Sequence, residues 1–253
     1  MTNPAPSDRS PSVVLFDLDD TLFAHAEAVG RGVTAHRATL AAKASLPDDG
    51  AEVARWHALE ELHYHRYLSG ELDFLGQRRA RVHDFVELYG LEIDAAEADR
   101  WYNDYYLEYE KAWVLHDDAL PCLDELHRTI PGVRFGLVTN GELEYQAPKI
   151  TAVGLDRYLE HTIASGELGI AKPDARIFRH ACDLFGVPPS RAAYIGDRLE
   201  TDAIGAARAG LTGVWLDRRR AATEEDLAAA AASGVPVIRS LAKLPQLLAS
   251  PPA

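Results

Sequence analysis

Apolar and polar positions divide the chain into three regimes. Val13, Val14, Leu15 and Phe16 form an unbroken apolar run of strand length, and it ends abruptly in the polar stretch Asp17-Leu18-Asp19-Asp20-Thr21. From about residue 24 to 112 the apolar positions recur with a helical period in a stretch rich in Ala, Glu, Arg and Tyr. Its breaks fall at Pro47-Asp48-Asp49-Gly50, Ser69-Gly70 and Tyr89-Gly90, which predicts an insertion of four or five helices. Beyond about Leu115 short apolar runs alternate with helical stretches. Helices are expected over 118–129, 143–153, 174–185, 200–209, 221–232 and 241–248, and strands over 133–138, 162–164, 192–195, 213–216 and 235–238. Such alternation predicts an α/β fold, with a parallel sheet covered by helices on both faces.

The polar stretch after the first strand carries the chemistry. Carboxylates at the carboxyl end of a buried parallel strand are costly unless they bind something, and that end is where open α/β sheets hold ligands. Three further segments follow in order. Phe135-Gly136-Leu137-Val138 ends in Thr139-Asn140-Gly141; Gly169-Ile170-Ala171-Lys172-Pro173-Asp174 supplies a lysine at the start of a helix; Ala193-Tyr194-Ile195 runs into Gly196-Asp197-Arg198-Leu199-Glu200-Thr201-Asp202. An acid pair, a hydroxyl, a lysine and a second acid pair, each at a strand end or helix start, resemble the four motifs of the haloacid dehalogenase-like hydrolases. The resemblance covers about Ser12 to Thr21 and again about Leu115 onward, while the stretch between matches only in helical character.

The resemblance implies a Rossmann-like core over 12–23 and 113–253, a smaller all-helical cap domain over 24–112 that closes over the substrate, and a flexible tail over 1–11. It also implies roles. Asp17 is the nucleophile that forms an aspartyl-phosphate, and Asp19 the acid that protonates the leaving oxygen and later the base that activates water. Thr139, with backbone N–H groups at Asn140 and Gly141, binds the phosphoryl group, and Lys172 offsets the repulsion between two anions that must meet. Mg²⁺ is held by the Asp17 carboxylate, the Asp19 carbonyl and Asp197. Asp202 supports Lys172 or the water around the metal. Asp20 and Thr21 shape the turn. Asp19 together with Asp197 favours a phosphatase over a dehalogenase; a phosphomutase or a non-catalytic phospho-ligand binder shares the same residues. A narrower likeness, carried by Thr139-Asn140-Gly141 with Gln146 and Lys149, is to the nucleotidase and acylneuraminate-phosphatase branch, which acts on nucleoside monophosphates and sugar phosphates. Pro148 departs from the smooth helix expected there.

Size and charge narrow the partners. The 253 residues, 47% of them hydrophobic, suffice for a large core, and no apolar run approaches the roughly 20 residues of a membrane span. The first eleven residues are polar and Pro-rich, without an apolar signal segment, so a cytoplasmic protein is expected. A net charge of −13 argues against a nucleic-acid backbone as partner. A small phosphorylated metabolite remains compatible with it, provided a cation and a lysine reverse the sign locally. Oligomeric state is not legible. Two cysteines, Cys122 and Cys182, have no metal-ligand spacing and read as buried free thiols. His57, Glu61 and His65 share a helix face, with His63 elsewhere, and read as a solvated face rather than a metal site. The aromatic series Trp101, Tyr102, Tyr105, Tyr106 and Tyr109 reads as packing within the cap.

Overall fold

The structure, a computed structural model, describes residues 10–40 and 48–249. Most of the expected tail and Pro47 of the first expected break lie outside these residues, whereas Ser10 and Pro11 are buried. Elements follow in the order β1 (Val13–Phe16), α1 (His25–Leu40), α2 (Asp49–Leu68), α3 (Phe74–Glu87), α4 (Ala95–Lys111), α5 (Ala119–Thr129), β2 (Arg134–Thr139) and α6 (Leu143–Ala152). Then come β3 (Leu159–Ala164), α7 (Ser165–Leu168), α8 (Ala175–Leu184), β4 (Ala192–Gly196), α9 (Gly205–Ala209), β5 (Thr212–Leu216), α10 (Glu224–Ala232), β6 (Val237–Ile238) and α11 (Leu244–Ala249).

Among the described residues six strands form one parallel sheet in the order β3-β2-β1-β4-β5-β6. β1 therefore lies between β2 and β4, with Phe16 level with Leu137 on one side and Ile195 on the other. The chain reverses its direction of strand addition beside β1, the point where such sheets open a crevice at their carboxyl ends.

All four residues of β1 are buried, because both faces of the strand are covered. Side chains alternate between faces: Val13 and Leu15 join Ile177 and Phe178 of α8 and Ala206 of α9 in one apolar cluster. Phe16 meets Phe135 edge-on at 6.1 Å, and the His127 ring of α5 lies 4.5 Å from Phe135. A further cluster joins Trp215 of β5 to Ala230 of α10 and to Ala203 and Ile204. Both cysteines are buried and free.

Contacts divide the described chain into two compact units, one holding residues up to Ala24 and from Leu115 onward, the other His25–Val114. The second is built from α1 to α4. Helices α2, α3 and α4 start at aspartates that accept backbone N–H groups, Asp48 from Ala51, Asp73 from Gly76 and Asp94 from Glu97, the last within a full capping box. The aromatic series on α4 packs inside this unit: Trp56 lies 4.8 Å from Tyr105, 5.2 Å from Trp101 and 5.1 Å from Phe85. His65 is exposed and pairs with Glu61 at 3.0 Å, while His63 turns inward onto Asp84 at 2.8 Å. His57 lies 3.6 Å from Glu60, so the histidines of α2 each face a carboxylate of the same unit. Among the described residues no helix is long and apolar enough to cross a membrane.

One expected helix is different. Residues 200–209 form a π-helical turn, Leu199–Ile204, before α9. Both Asp202 N and Ala203 N donate to the Arg198 carbonyl, at 2.9 and 3.4 Å, and the Asp202 carboxylate reaches back to Arg198 N at 3.0 Å. Wide turns of this kind cost hydrogen-bond quality and are found where a side chain must be aimed. Likewise, the expected helix over 221–232 begins only at Glu224, capped by Thr223 with Asp226 reaching back, and the expected strand over 162–164 extends back to Leu159.

Candidate active site

Three adjacent strands deliver the candidate residues to one end of the sheet. Asp17 follows the last residue of β1, Thr139 is the last of β2, and Asp197 follows the last of β4. The turn after β1 folds back on itself, since Thr21 N, Leu22 N and Phe23 N all donate to the Leu18 carbonyl. Asp20 takes φ +60°, a left-handed conformation that aspartate tolerates. Arg219 holds its carboxylate at 2.7 Å, and Arg218 donates to the Thr21 carbonyl at 2.8 Å.

Lys172 sits at the centre. Its ammonium is 2.7 Å from Asp17 Oδ1, 2.7 Å from Asp202 Oδ1 and 2.8 Å from the Tyr194 hydroxyl, so all three of its donors are engaged. Tyr194 in turn donates to the Val138 carbonyl at 3.0 Å. Burial disfavours the ammonium, but the carboxylates of Asp17 and Asp202 outweigh it and push the Lys172 pKa up to about 12. The lysine is a fixed positive charge. Asp17 responds differently: burial raises its carboxyl to about 6, Lys172 pulling the other way and the negative charges of Asp202 and Asp19 adding to the rise.

Gly196 makes this packing possible, because a Cβ there would collide with the Asp202 side chain. Similarly, a Cβ on Gly141 would strike the Gln146 side chain, at 3.0 Å from its Cγ. Asp19 is held by α6: Gln146 Nε2 donates to Oδ2 at 3.0 Å and Lys149 Nζ to Oδ1 at 2.6 Å. Gln146 Nε2 also lies 3.3 Å from Thr139 Oγ1, which accepts the Gly141 N–H at 3.2 Å. The other end of that amide, Gln146 Oε1, is buried without a partner, a state that typically costs about 1–3 kcal/mol. α6 continues through Pro148, which lies inside the helix.

The structure thus gathers Asp17, Lys172, Asp197 and Asp202, and joins Asp19 to Thr139 through Gln146. The Gly141 N–H, expected to face a phosphoryl group, is turned to Thr139. The Asn140 side chain clasps the Lys172 backbone, donating to its carbonyl at 2.9 Å and accepting its N–H at 2.7 Å. Tyr194, Trp215 and the Asn140 side chain escape sequence reading as site residues. Trp215 Nε1 donates to the Asp197 carbonyl at 2.9 Å. For Tyr194 one signal exists, a hydroxyl inside the otherwise apolar Ala-Ala-Tyr-Ile strand.

Oxygen ligands dominate the end of β1 and β4. One carboxylate oxygen from each of Asp17, Asp197 and Asp202 lies within 4.8 Å of the other two. Asp202 is already committed to Lys172, whereas the Asp197 carboxylate has no hydrogen-bond or ion-pair partner among the described residues. Burial, then the charges of Asp17 and Asp202, raise its pKa well above the usual carboxylate range. Three carboxylates gathered around a single lysine, one of them without a partner, fit a small divalent cation such as Mg²⁺.

The sequence profile of the haloacid dehalogenase-like hydrolases matches residues 11–210. The chain belongs to that family. Within it the chain is of phosphatase type: it is 34% identical over 224 residues to a phosphoserine phosphatase of Thermus thermophilus, covering 81% of this chain and 88% of that one. It is 32% identical to a glyceraldehyde 3-phosphate phosphatase of Methanopyrus kandleri over 81% and 83% of the two chains. An N-acylneuraminate-9-phosphatase of Mus musculus shares 40% over 106 residues, 42% of each chain. The magnesium-bound HAD-hydrolase YfnB of Bacillus subtilis has the same fold, with a TM-score of 0.77 at 21% identity, covering 94% of this chain and 99% of that one. The helical segment between β1 and β2 of this HAD-like hydrolase is the cap insertion of that fold.

Proposed function

We propose that this hydrolase is a Mg²⁺-dependent phosphatase that cleaves a small phosphate monoester through an aspartyl-phosphate on Asp17. The observation that carries the reading is Lys172 held 2.7 Å from both Asp17 and Asp202, beside an Asp197 carboxylate that lacks a partner. Phosphoryl transfer between two anions needs such a positive charge beside the nucleophile.

Asp17, the Asp19 carbonyl and Asp197 would hold Mg²⁺, which supplies charge neutralisation for the transferring phosphoryl group. The protein's own groups do the rest. An Asp17 oxygen bonds to phosphorus while the bond to the leaving oxygen breaks, and Asp19 gives that oxygen its proton. Asp19, now a carboxylate, takes a proton from the water that attacks phosphorus and frees Asp17. Thr139 binds the phosphoryl oxygens, joined by Lys172 once one of its three engaged N–H groups is released, with the backbone at Asn140 and Gly141 assisting once the Gly141 N–H leaves Thr139. Asp202 keeps Lys172 in place.

The relatives named phosphoserine, glyceraldehyde 3-phosphate and N-acylneuraminate-9-phosphate phosphatases support a small phosphorylated metabolite as substrate. Sugar phosphates and nucleoside monophosphates head the panel, and the helical insertion is assigned the choice of leaving group. The net charge of −13 disfavours nucleic acid, and cytoplasmic action is part of the same reading.

The test is phosphate release from sugar phosphates, nucleoside monophosphates and phosphoserine, with Mg²⁺ or EDTA, for wild type and Asp17→Asn. Release that needs Mg²⁺ and vanishes in Asp17→Asn is expected. Isomerisation of a substrate without free phosphate would overturn hydrolysis in favour of a mutase, and ligand binding without turnover would overturn catalysis.

A further inference from the structure

We propose that Lys149 and Gln146 of α6 are positioning residues for proton exchange at Asp19, fixing its carboxylate relative to Thr139. The inference rests on the phosphatase reading above, and it assigns work to two side chains outside the acid, hydroxyl and lysine motifs.

Four observations converge. Lys149 and Gln146 are only 5% and 6% exposed, so their polar ends are committed to the protein interior. They stand three residues apart on one helix, on neighbouring positions of the same face, and each takes one oxygen of the same carboxylate, at 2.6 and 3.0 Å. Two anchors on two oxygens fix the plane of the carboxylate, where one would leave it free to rotate. The Lys149 ammonium also lies 4.9 Å from the centre of the Phe23 ring, and Phe23 closes the turn that carries Asp19 through its hydrogen bond from Asp20 N. Gln146 Nε2 bridges Asp19 to Thr139 Oγ1, which ties the proton donor to the hydroxyl that meets the phosphoryl group.

Two further observations argue against a purely structural purpose. Gln146 leaves its own Oε1 buried and unpaired, an arrangement that costs stability and that an apolar residue of the same size would avoid. Gly141 must lack a Cβ for the side chain to fit. A core selected for stability alone has no reason to keep either feature, whereas a site that must orient a carboxyl group does.

Proton donation matters in proportion to the basicity of the leaving oxygen. An alkoxide leaving from a sugar phosphate needs the Asp19 proton; p-nitrophenolate, a weak base, leaves nearly without it. Misplacing Asp19 therefore slows alkyl esters selectively, and kcat/KM reads that first half-reaction. The experiment compares kcat/KM for p-nitrophenyl phosphate with that for the alkyl monoester hydrolysed fastest by wild type, in Lys149→Met, Lys149→Arg, Gln146→Leu and Asp19→Asn, with Tm recorded for each.

Lys149→Met and Gln146→Leu are expected to lose at least about tenfold more on the alkyl ester than on p-nitrophenyl phosphate, a bias within the range general acid catalysis provides. Lys149→Arg is expected to recover most of it. In an Asp19→Asn background Lys149→Met should add less than about twofold, because the two changes remove one function. Equal losses on both esters, or full additivity with Asp19→Asn, would overturn the assignment while leaving the phosphatase reading intact. Gln146→Leu keeps the test decisive if Lys149→Met fails to fold, since it removes the unpaired acceptor. A wild type that hydrolyses neither ester overturns the phosphatase reading itself.

Discussion

Asn140 and Lys172, 32 residues apart in sequence, hold each other at two points: the Asn140 amide donates to the Lys172 carbonyl at 2.9 Å and accepts its N–H at 2.7 Å. The loop after β2 thereby fixes the backbone from which the central lysine projects, and the ammonium reaches Asp17 and Asp202 without a search. Asn140→Ala removes both bonds and leaves two backbone groups to find water. A drop of about 10–100-fold in kcat/KM is expected, the scale of a misplacement of about 1 Å in a preorganised site. Phosphate release together with Tm would check it, a large kinetic loss with a small Tm change being the predicted pattern.

Removing the lysine charge has a larger effect. Lys172→Met strands the carboxylates of Asp17 and Asp202, each 2.7 Å from the lost ammonium, and breaking a buried pair in this way costs about 3–5 kcal/mol. Urea unfolding in EDTA at pH 8 should show that loss, and activity should be abolished. At pH 5, below the value of about 6 to which burial raises Asp17, the destabilisation should be smaller.

Asp17 itself opposes stability in the metal-free protein. Its carboxyl is raised to about 6 by burial, so the folded state binds a proton that the unfolded chain, near 3.8, has released. The favourable contribution is present below pH 3.8 and disappears as pH rises through 6. Metal-free wild type is therefore expected to lose Tm between pH 4.5 and 7.5, and Asp17→Asn to flatten that fall while eliminating phosphate release. A Tm profile in EDTA that is equally steep in both proteins would contradict the assignment.

A divalent cation should reverse the trend. Asp17 and Asp197 must shed protons to ligate it, and both hold them more tightly than ordinary carboxylates, so Mg²⁺ competes with protons. The stabilisation by Mg²⁺ at about 100 times its Kd, on the order of 2.7 kcal/mol, is expected near pH 7.5 and should shrink towards pH 5. Differential scanning calorimetry with and without Mg²⁺ at the two pH values measures this, and Asp197→Asn should abolish the difference.

Away from the site, Asp118 ties three segments together. It pairs with both Arg218 amino groups at 2.7 and 3.0 Å, and accepts from Ser240 Oγ at 2.6 Å and Leu241 N at 2.9 Å. Burial alone would raise its carboxyl, but the hydrogen bonds from Arg218 and Ser240 outweigh it and hold the pKa down. Its contribution is present above about pH 3.8 and fades as pH falls below that value. Asp118→Ala is expected to cost about 2 kcal/mol at pH 7, read by urea unfolding, and distinctly less near pH 3.

The sequence by itself determined the elements and the place of the acids. Apolar runs of four to six residues and the helical period are local properties, so β1, β2, β4 and the helices of the insertion are visible without any knowledge of contacts. Asp17 and Asp19 follow one apolar run, Thr139 ends another and Asp197 follows a third, which is enough to nominate them. Strand order was not legible, because nothing in the period says that β1 lies between β2 and β4; that follows from how helices cover both faces. Nor was the aim of side chains. Asn140 reads as part of a loop backbone, Tyr194 as a strand residue, and Gln146 and Lys149 as marks of a resemblance. Each acquires its partner only when segments 22 to 130 residues apart are packed together. The π turn at Leu199–Ile204 belongs to the same class, since a helical sequence pattern does not reveal that Asp202 must reach back to Arg198 N and across to Lys172. Periodicity fixes which face of an element is buried, whereas hydrogen bonds between distant segments are fixed by tertiary distances that no local pattern contains.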